Sequence, residues 1–187
     1  ASVVVLGPGL GLTLWSKILF KRTLRHVSKH QLPIVIDADA LNLTAKGCEA
    51  VPHLKQAVYT PHPGEASRLL NCTIKEIQAN REEAVQKLQN KLGGTVVLKG
   101  ANSLVYHPDE PLYTCKFGNP GMATGGMGDL LSGLIGGLMT QGVTPFQAAK
   151  AAVELHAKAG DAALKHKGGP SVLATDLLPE IKPLFNR

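Results

Sequence analysis

The sequence is poor in cysteine, in aromatic residues and in long apolar runs. Its three cysteines, Cys48, Cys72 and Cys115, are far apart and form no Cys-x-x-Cys pair. That spacing argues against a disulfide framework or a thiolate zinc site and favours a reducing, cytoplasmic setting. No uninterrupted apolar stretch approaches the roughly 20 residues of a membrane-spanning helix, so no membrane partner is expected. The opening Ala1-Ser2-Val3-Val4-Val5-Leu6 lacks the basic flank of a secretory signal and reads as a strand. Aromatic residues make up 4% of the 187 residues, too few for the stacking platforms of a nucleic-acid binder. The net charge of +6 does not revive that reading. Lys17, Lys21, Arg25 and Lys29 recur every four residues as one solvated helix stripe, opposite an apolar face of Leu14, Ile18, Leu24 and Val27.

What the chain has in excess is glycine: 20 residues, about 11% against a usual level of about 7%. Nine of them fall between Gly118 and Gly142, where Asp129 is the one charged residue. The remaining pattern alternates strand and helix. Strands are predicted at Val3–Leu6, Pro33–Asp37, Ala57–Thr60 and Thr95–Lys99, followed by a hairpin of Ser103–Tyr106 with Leu112–Cys115. Helices are predicted from Leu12 to about Lys29 and from Glu65 to Leu70. A further one opens on the Thr73-Ile74-Lys75-Glu76 capping box and runs to about Leu92, and the last two span about Asp129–Thr140 and start at Thr144-Pro145. The alternation predicts an α/β domain over residues 1–187, with a mostly parallel central sheet and helices on both faces.

Glycines immediately before a helix let backbone N–H groups converge on an anion, and the helix dipole favours negative charge there. Gly118-Asn119-Pro120-Gly121-Met122-Ala123-Thr124-Gly125-Gly126-Met127-Gly128-Asp129 is such a phosphate cradle. It is not a Walker A loop, because Asp129 stands where that motif has lysine. A carboxylate at this point can take a hydroxyl proton as the oxygen attacks phosphorus; equally, it can be a simple first-turn acid that steadies the helix. Gly7-Pro8-Gly9-Leu10-Gly11 with Asp37 resembles a dinucleotide fingerprint imperfectly: Leu12 occupies the third glycine position and Asp37 comes late. A turn that lets a ligand approach the strand end is the alternative.

Thr60-Pro61-His62-Pro63-Gly64-Glu65 puts a histidine and a carboxylate at a strand's carboxyl end, where open α/β sheets bind ligands. Zinc would lack a third ligand there; a substrate-contacting His62 with Glu65 holding a magnesium-bound water is the preferred reading, and a structural turn the bland one. Asp37 and Asp39 occupy the same topological position and suit Mg²⁺ beside a polyphosphate. Lys99 follows a strand as a point charge for phosphate. His26, His30, His53, His107, His156 and His166 show no pairing spacing and read as structural or solvent-facing. Serine-hydrolase chemistry has no nucleophile elbow here.

Together, Gly7 to Gly11, Val35-Ile36-Asp37-Ala38-Asp39-Ala40-Leu41-Asn42, Thr60 to Glu65, Leu98-Lys99-Gly100-Ala101 and Asn119 to Asp129 resemble the ADP/ATP-dependent NAD(P)H-hydrate dehydratases, a ribokinase-like family. The five motifs occur in the family's order. The resemblance implies dehydration of the S epimer of hydrated NADH or NADPH, with ADP or ATP as co-substrate and Mg²⁺. It places Gly11, His62 and Asp129 on the hydrate, and Lys99, Gly100, Ala101, Asn102, Ser103 and Gly128 at the adenine nucleotide. The amides from Gly125 to Gly128 would stabilise charge building on phosphorus. Relative to the family pattern the chain is expected to be N-terminally incomplete, with an exposed sheet edge or apolar face. A homo-oligomer is also expected. Two other classes share the glycine loop: a ribokinase-like kinase of a vitamin-precursor alcohol, and a non-catalytic nucleotide-binding module.

Overall fold

A computed structural model describes residues 1–48 and 54–184 of the chain; His53, assigned above to a structural or solvent-facing role, lies outside them. Six strands form one sheet in sequential order, β1 (Val4–Leu6), β2 (Ile34–Ile36), β3 (Ala57–Tyr59), β4 (Thr95–Leu98), β5 (Leu104–Tyr106) and β6 (Tyr113–Thr114). The first four are parallel, in register Val4 to Ile34, Ile34 to Ala57 and Val58 to Thr95. Each of those connections carries at least one helix or a long excursion, which parallel pairing requires. From β4 to β5 only residues 99–103 intervene, so the chain doubles back and β5 and β6 pair antiparallel.

Strands buried on both faces read as continuous apolar runs. Ile34 and Ile36 of β2 point into one core with Phe20, Leu24 and Val27 of α1 (Leu14–His30), Leu41 of α2 (Ala38–Ala45), Leu69 of α3 (Pro63–Leu70), Ile77 of α4 (Ile74–Ala79) and Leu88 of α5 (Arg81–Leu92). Val35 points the other way, against Leu131 and Ile135 of α6 (Met127–Met139) and Ala152 of α7 (Pro145–Lys167). A third cluster joins Met127, Ala159 and Ala163 to Leu177 and Ile181 of α8 (Ala174–Leu184). Among the described residues no helix is long and apolar enough to cross a membrane.

The sheet and its two helical layers follow the sequence pattern, with three differences. The helix expected to run from Thr73 to Leu92 is two helices. Asn80 leaves helical geometry at φ −145°, ψ 79°, and its side chain accepts the N–H of Glu83, capping α5. Helices α2 and α8 were not foreseen at all. The buried stripe of α1 is Ser16, Phe20, Leu24 and Val27, whereas Leu14 and Ile18 are 74% and 44% exposed, beside an exposed Trp15. Strand β1 stands at one end of the sheet order, and the first turns of α1 keep apolar residues in the open.

The entry to the site is fixed by a close approach. Gly7, at φ 131°, brings the turn after β1 so near the end of β2 that a Cβ would lie 1.7 Å from the Asp37 carbonyl oxygen. Only glycine fits such a contact.

Candidate active site

The carboxyl ends of the four parallel strands deliver Gly7 to Gly11, Asp37, His62 and Lys99 to one end of the sheet, where α/β folds bind ligands. The N-terminus of α6 meets them there. Asp37 anchors the group: it is 1% exposed, its Oδ1 lies 2.6 Å from Lys99 Nζ, and its Oδ2 accepts the hydroxyl of Ser132 at 2.8 Å. Three elements distant in sequence are thereby tied together. Asp37 is also the N-cap residue of α2, yet its side chain makes no capping bond, having been turned to the lysine instead. The next residue, Ala38, sits at φ 46°, a left-handed conformation disfavoured for a residue with a Cβ. Local stability is given up here to aim a carboxylate.

Lys99 in turn lies beneath the first turn of α6. A Cβ on Gly128 would stand 3.2 Å from Lys99 Nζ and 3.5 Å from Asp37 Oδ2, so the glycine leaves room for the ammonium under the helix end. Around this point opens a cavity of about 460 Å³. Lys99, Gly100, Ala101, Asn102 and Ser103 line it from the β4–β5 turn, Phe117 to Pro120 and Met122 from the glycine loop, Gly128 and Leu131 from α6, and Val153, His156 and Ala157 from α7. The turn is firmly held. Arg81 donates to the carbonyl of Leu98 at 3.1 Å, and Ser103 Oγ bonds the carbonyl of Gly100 at 3.0 Å. Cys115 also faces the cavity; burial pushes its thiol upward, so it stays protonated.

The nucleotide-binding residues expected from sequence divide in two. Lys99 to Ser103 and Gly128 share the cavity wall, whereas Gly125 and Gly126 are exposed at the start of α6, outside its lining, with Gly126 as the N-cap at φ 85°. Asp129 is exposed, one residue further round the helix, and borders a separate shallow hollow with Leu130, Gly133 and Gly137. It stands in the first turn of α6, where no side-chain cap bond forms.

His62 and Glu65 form a reciprocal cap on α3. Nδ1 of His62 accepts the N–H of Gly64 at 3.0 Å, and Glu65 Oε2 accepts the N–H of His62 at 2.8 Å. Accepting at Nδ1 leaves the ring proton on Nε2, which lies 3.4 Å from Glu65 Oε1. Burial first, then Lys99 and Arg68, hold the imidazole below its ordinary range, while burial pushes the Glu65 carboxyl up against the pull of Lys99. Asp39, paired with Mg²⁺ in the sequence reading, accepts the N–H of Gly11 at 2.8 Å.

These positions bear on a divalent cation. Among the described residues no three His, Cys, Asp or Glu side chains cluster as metal ligands. Both oxygens of Glu65 face His62, and Oε2 lies 4.0 Å from Lys99 Nζ. Asp37 is taken by Lys99 and Ser132. These side chains do not form a cage for Mg²⁺.

His156 is among the histidines expected to be structural or solvent-facing. It is buried, faces the cavity, and its Nε2 has no hydrogen-bond partner. Burial pushes its pKa down to about 4. Because the folded value is below the unfolded value of about 6.5, the unfolded chain binds the extra proton first. The stabilising contribution is therefore complete above about pH 6.5 and drains away as pH falls toward 4, amounting to about 3 kcal/mol at most. Replacing His156 by glutamine is expected to flatten the pH dependence of the urea midpoint between pH 4 and 6.5; an equally steep profile would place the titrating group elsewhere.

The sequence pattern of the NAD(P)H-hydrate dehydratase family matches residues 1–183. The bifunctional NAD(P)H-hydrate repair enzyme of Coxiella burnetii is 47% identical over 100% of this chain, which covers 37% of that protein. A ribokinase-like superfamily protein from Enterococcus faecalis superposes with a TM-score of 0.86 at 34% identity, over 100% of this chain and 63% of its own. An ADP/ATP-dependent NAD(P)H-hydrate dehydratase from Bacillus subtilis, co-crystallised with ATP and Mg²⁺, does so with a TM-score of 0.81 at 28% identity, over 98% of this chain and 65% of its own. The chain thus spans little more than a third of the bifunctional relative. Its fold is ribokinase-like, and the chain belongs to the NAD(P)H-hydrate dehydratase family.

Proposed function

We propose that the chain carries the nucleotide-dependent dehydration of (6S)-NAD(P)H hydrate, restoring NADH or NADPH at the expense of ADP or ATP. The observation that carries the reading is the convergence of a lysine ammonium, a glycine-flanked helix N-terminus and the 99–103 turn on one cavity, with the Asp129 carboxylate on the residue next to Gly128. That is the equipment of phosphoryl transfer, in which positioning and charge stabilisation do most of the catalysis.

The nucleotide occupies the cavity with its terminal phosphoryl group at the amide of Gly128. Lys99 faces that group with its ammonium aimed by Asp37 and Ser132, and Gly125 and Gly126 add amides at the helix end. The hydrate lies on the Gly11, His62 and Asp129 side. Asp129 takes the proton of the ring hydroxyl as its oxygen bonds to the terminal phosphorus, and the bond to the departing nucleotide breaks, giving AMP from ADP or ADP from ATP. The ring nitrogen then pushes its electron pair toward the carbon bearing the phosphate ester. Phosphate leaves with the C–O electrons, a proton is lost from the neighbouring carbon, and the double bond returns. Neutral His62, with its proton on Nε2, is a donor to a polar group of the substrate. Mg²⁺ would be held by the nucleotide's own phosphates and would offset their charge. The three unpaired thiols fit a reducing, cytoplasmic compartment.

The test follows absorbance at 340 nm after addition of enzymatically hydrated NADH, Mg²⁺ and either ADP or ATP. Recovery of absorbance with release of phosphate is expected. A stable phosphorylated alcohol without recovery would instead favour the kinase reading.

A further inference from the structure

Helix α7 does more than fill the second core. Val153, His156 and Ala157 face the cavity directly, and the same helix grips the glycine loop one residue after another. Lys158 Nζ sits 4.6 Å from the centre of the Phe117 ring. Asp161 Oδ2 accepts the N–H of Gly118 at 2.9 Å, and its Oδ1 accepts the side-chain amide of Asn119 at 2.9 Å. At Gly160 a Cβ would fall 2.3 Å from Met122 Sδ, so the glycine lets the methionine lie against the helix.

Asp161 is the point of this grip that fixes direction. A carboxylate only accepts hydrogen bonds, so it forces Asn119 to present Nδ2 to it and to turn Oδ1 away. That oxygen ends buried without a partner, where a Cβ on Gly121 would come within 2.9 Å of it. An orphaned buried acceptor is a cost; the two bonds to Asp161 offset it and hold the loop in one arrangement. Gly118 and Asn119 are both wall residues of the cavity, while Asp161 is not.

We propose that Asp161 is a positioning residue of the nucleotide site: it holds the Gly118–Asn119 wall and thereby sets affinity for the adenine nucleotide without touching the reacting atoms. The inference rests on the reading of this cavity as the nucleotide site. Charge-assisted hydrogen bonds are among the stronger ones, and losing both loosens one wall of the pocket.

The experiment measures ADP binding by titration calorimetry, alongside the 340 nm assay, for the full chain and for Asp161→Ala and Asp161→Asn. The alanine variant is expected to bind ADP about tenfold more weakly, equivalent to about 1.4 kcal/mol. Its turnover at saturating nucleotide and its KM for the hydrate stay at the parent values. Asparagine keeps the Gly118 bond through its oxygen and meets a flipped Asn119 with its own amide, so it recovers most of the affinity. Should the alanine variant fail to fold, Asp161→Glu serves, its longer side chain displacing the loop and weakening ADP in the same selective way. Unchanged ADP affinity on removal or lengthening of the side chain, equal weakening by alanine and asparagine, or a loss shared with hydrate KM and turnover overturns the proposal. A parent chain that binds ADP yet repairs no cofactor overturns the dehydratase reading alone; one that binds no ADP overturns both.

Discussion

Asp129→Asn is expected to lower dehydratase turnover by roughly 10²- to 10⁴-fold, the range that a positioned general base supplies, while affinity for ADP stays close to that of the parent. The asymmetry follows from placement. Gly128 lines the cavity proposed for the nucleotide, and Asp129, the next residue of α6, lies outside its lining. Asparagine is nearly isosteric, so folding changes by no more than the loss of a charge in the first helical turn, about 0.3–1 kcal/mol. Turnover at 340 nm and ADP calorimetry on the same preparation separate the two effects. A rate equal to the parent's would reduce Asp129 to an acid that steadies a helix end.

The second large effect belongs to the pair of Asp37 and Lys99. Lys99→Met removes the cation and strands a carboxylate that is 1% exposed with Ser132 as its remaining polar partner. Breaking a buried pair in this way costs about 3–5 kcal/mol; Lys99 itself is 18% exposed, which places the expectation near the lower bound of about 3 kcal/mol. That is a large share of the roughly 5–15 kcal/mol that holds a domain folded. Adding Asp37→Asn to Lys99→Met is expected to restore most of the lost stability, because an amide oxygen still accepts the Ser132 hydroxyl and no buried charge remains. ADP affinity behaves differently. It falls roughly 10- to 100-fold in the single variant, as expected for losing a charged contact to phosphate, and the double variant does not recover it. Urea denaturation follows one quantity and calorimetry the other. A double variant that binds ADP like the parent would make Lys99 merely the counter-ion of Asp37.

Much of this molecule is legible in its sequence, and the limits of that legibility have physical causes. The parallel strands announce themselves because both faces are buried, so Ile34-Val35-Ile36 and Val96-Val97-Leu98 are unbroken apolar runs. The glycine-to-helix junction at Gly126 shows because its composition is so unusual. The break at Asn80 was also there to be seen: Asn80-Arg81-Glu82-Glu83 is a helix-start signature, masked by apolar periodicity continuing through it. Helix α2 is hidden because Asp37 and Asp39 read as ligands rather than as the start of a helix, and α8 because Pro179 and Pro183 argue against one until the contacts of Leu177 and Ile181 outweigh them. The pairing of Asp37 with Lys99 spans 62 positions and the grip of Asp161 on Asn119 spans 42. No periodicity encodes such distances; they exist only once the sheet has placed its strand ends side by side.

The reversal of chain direction between β4 and β5 has a thermodynamic side. Residues 99–103 are not a crossover free to swing but a short turn pinned by a strand at each end, by Arg81 and by the Ser103 hydroxyl. Their conformational entropy is surrendered when the sheet forms, before any nucleotide arrives. For the proposed nucleotide this turn is then a preorganised surface, so binding carries little further ordering cost in it.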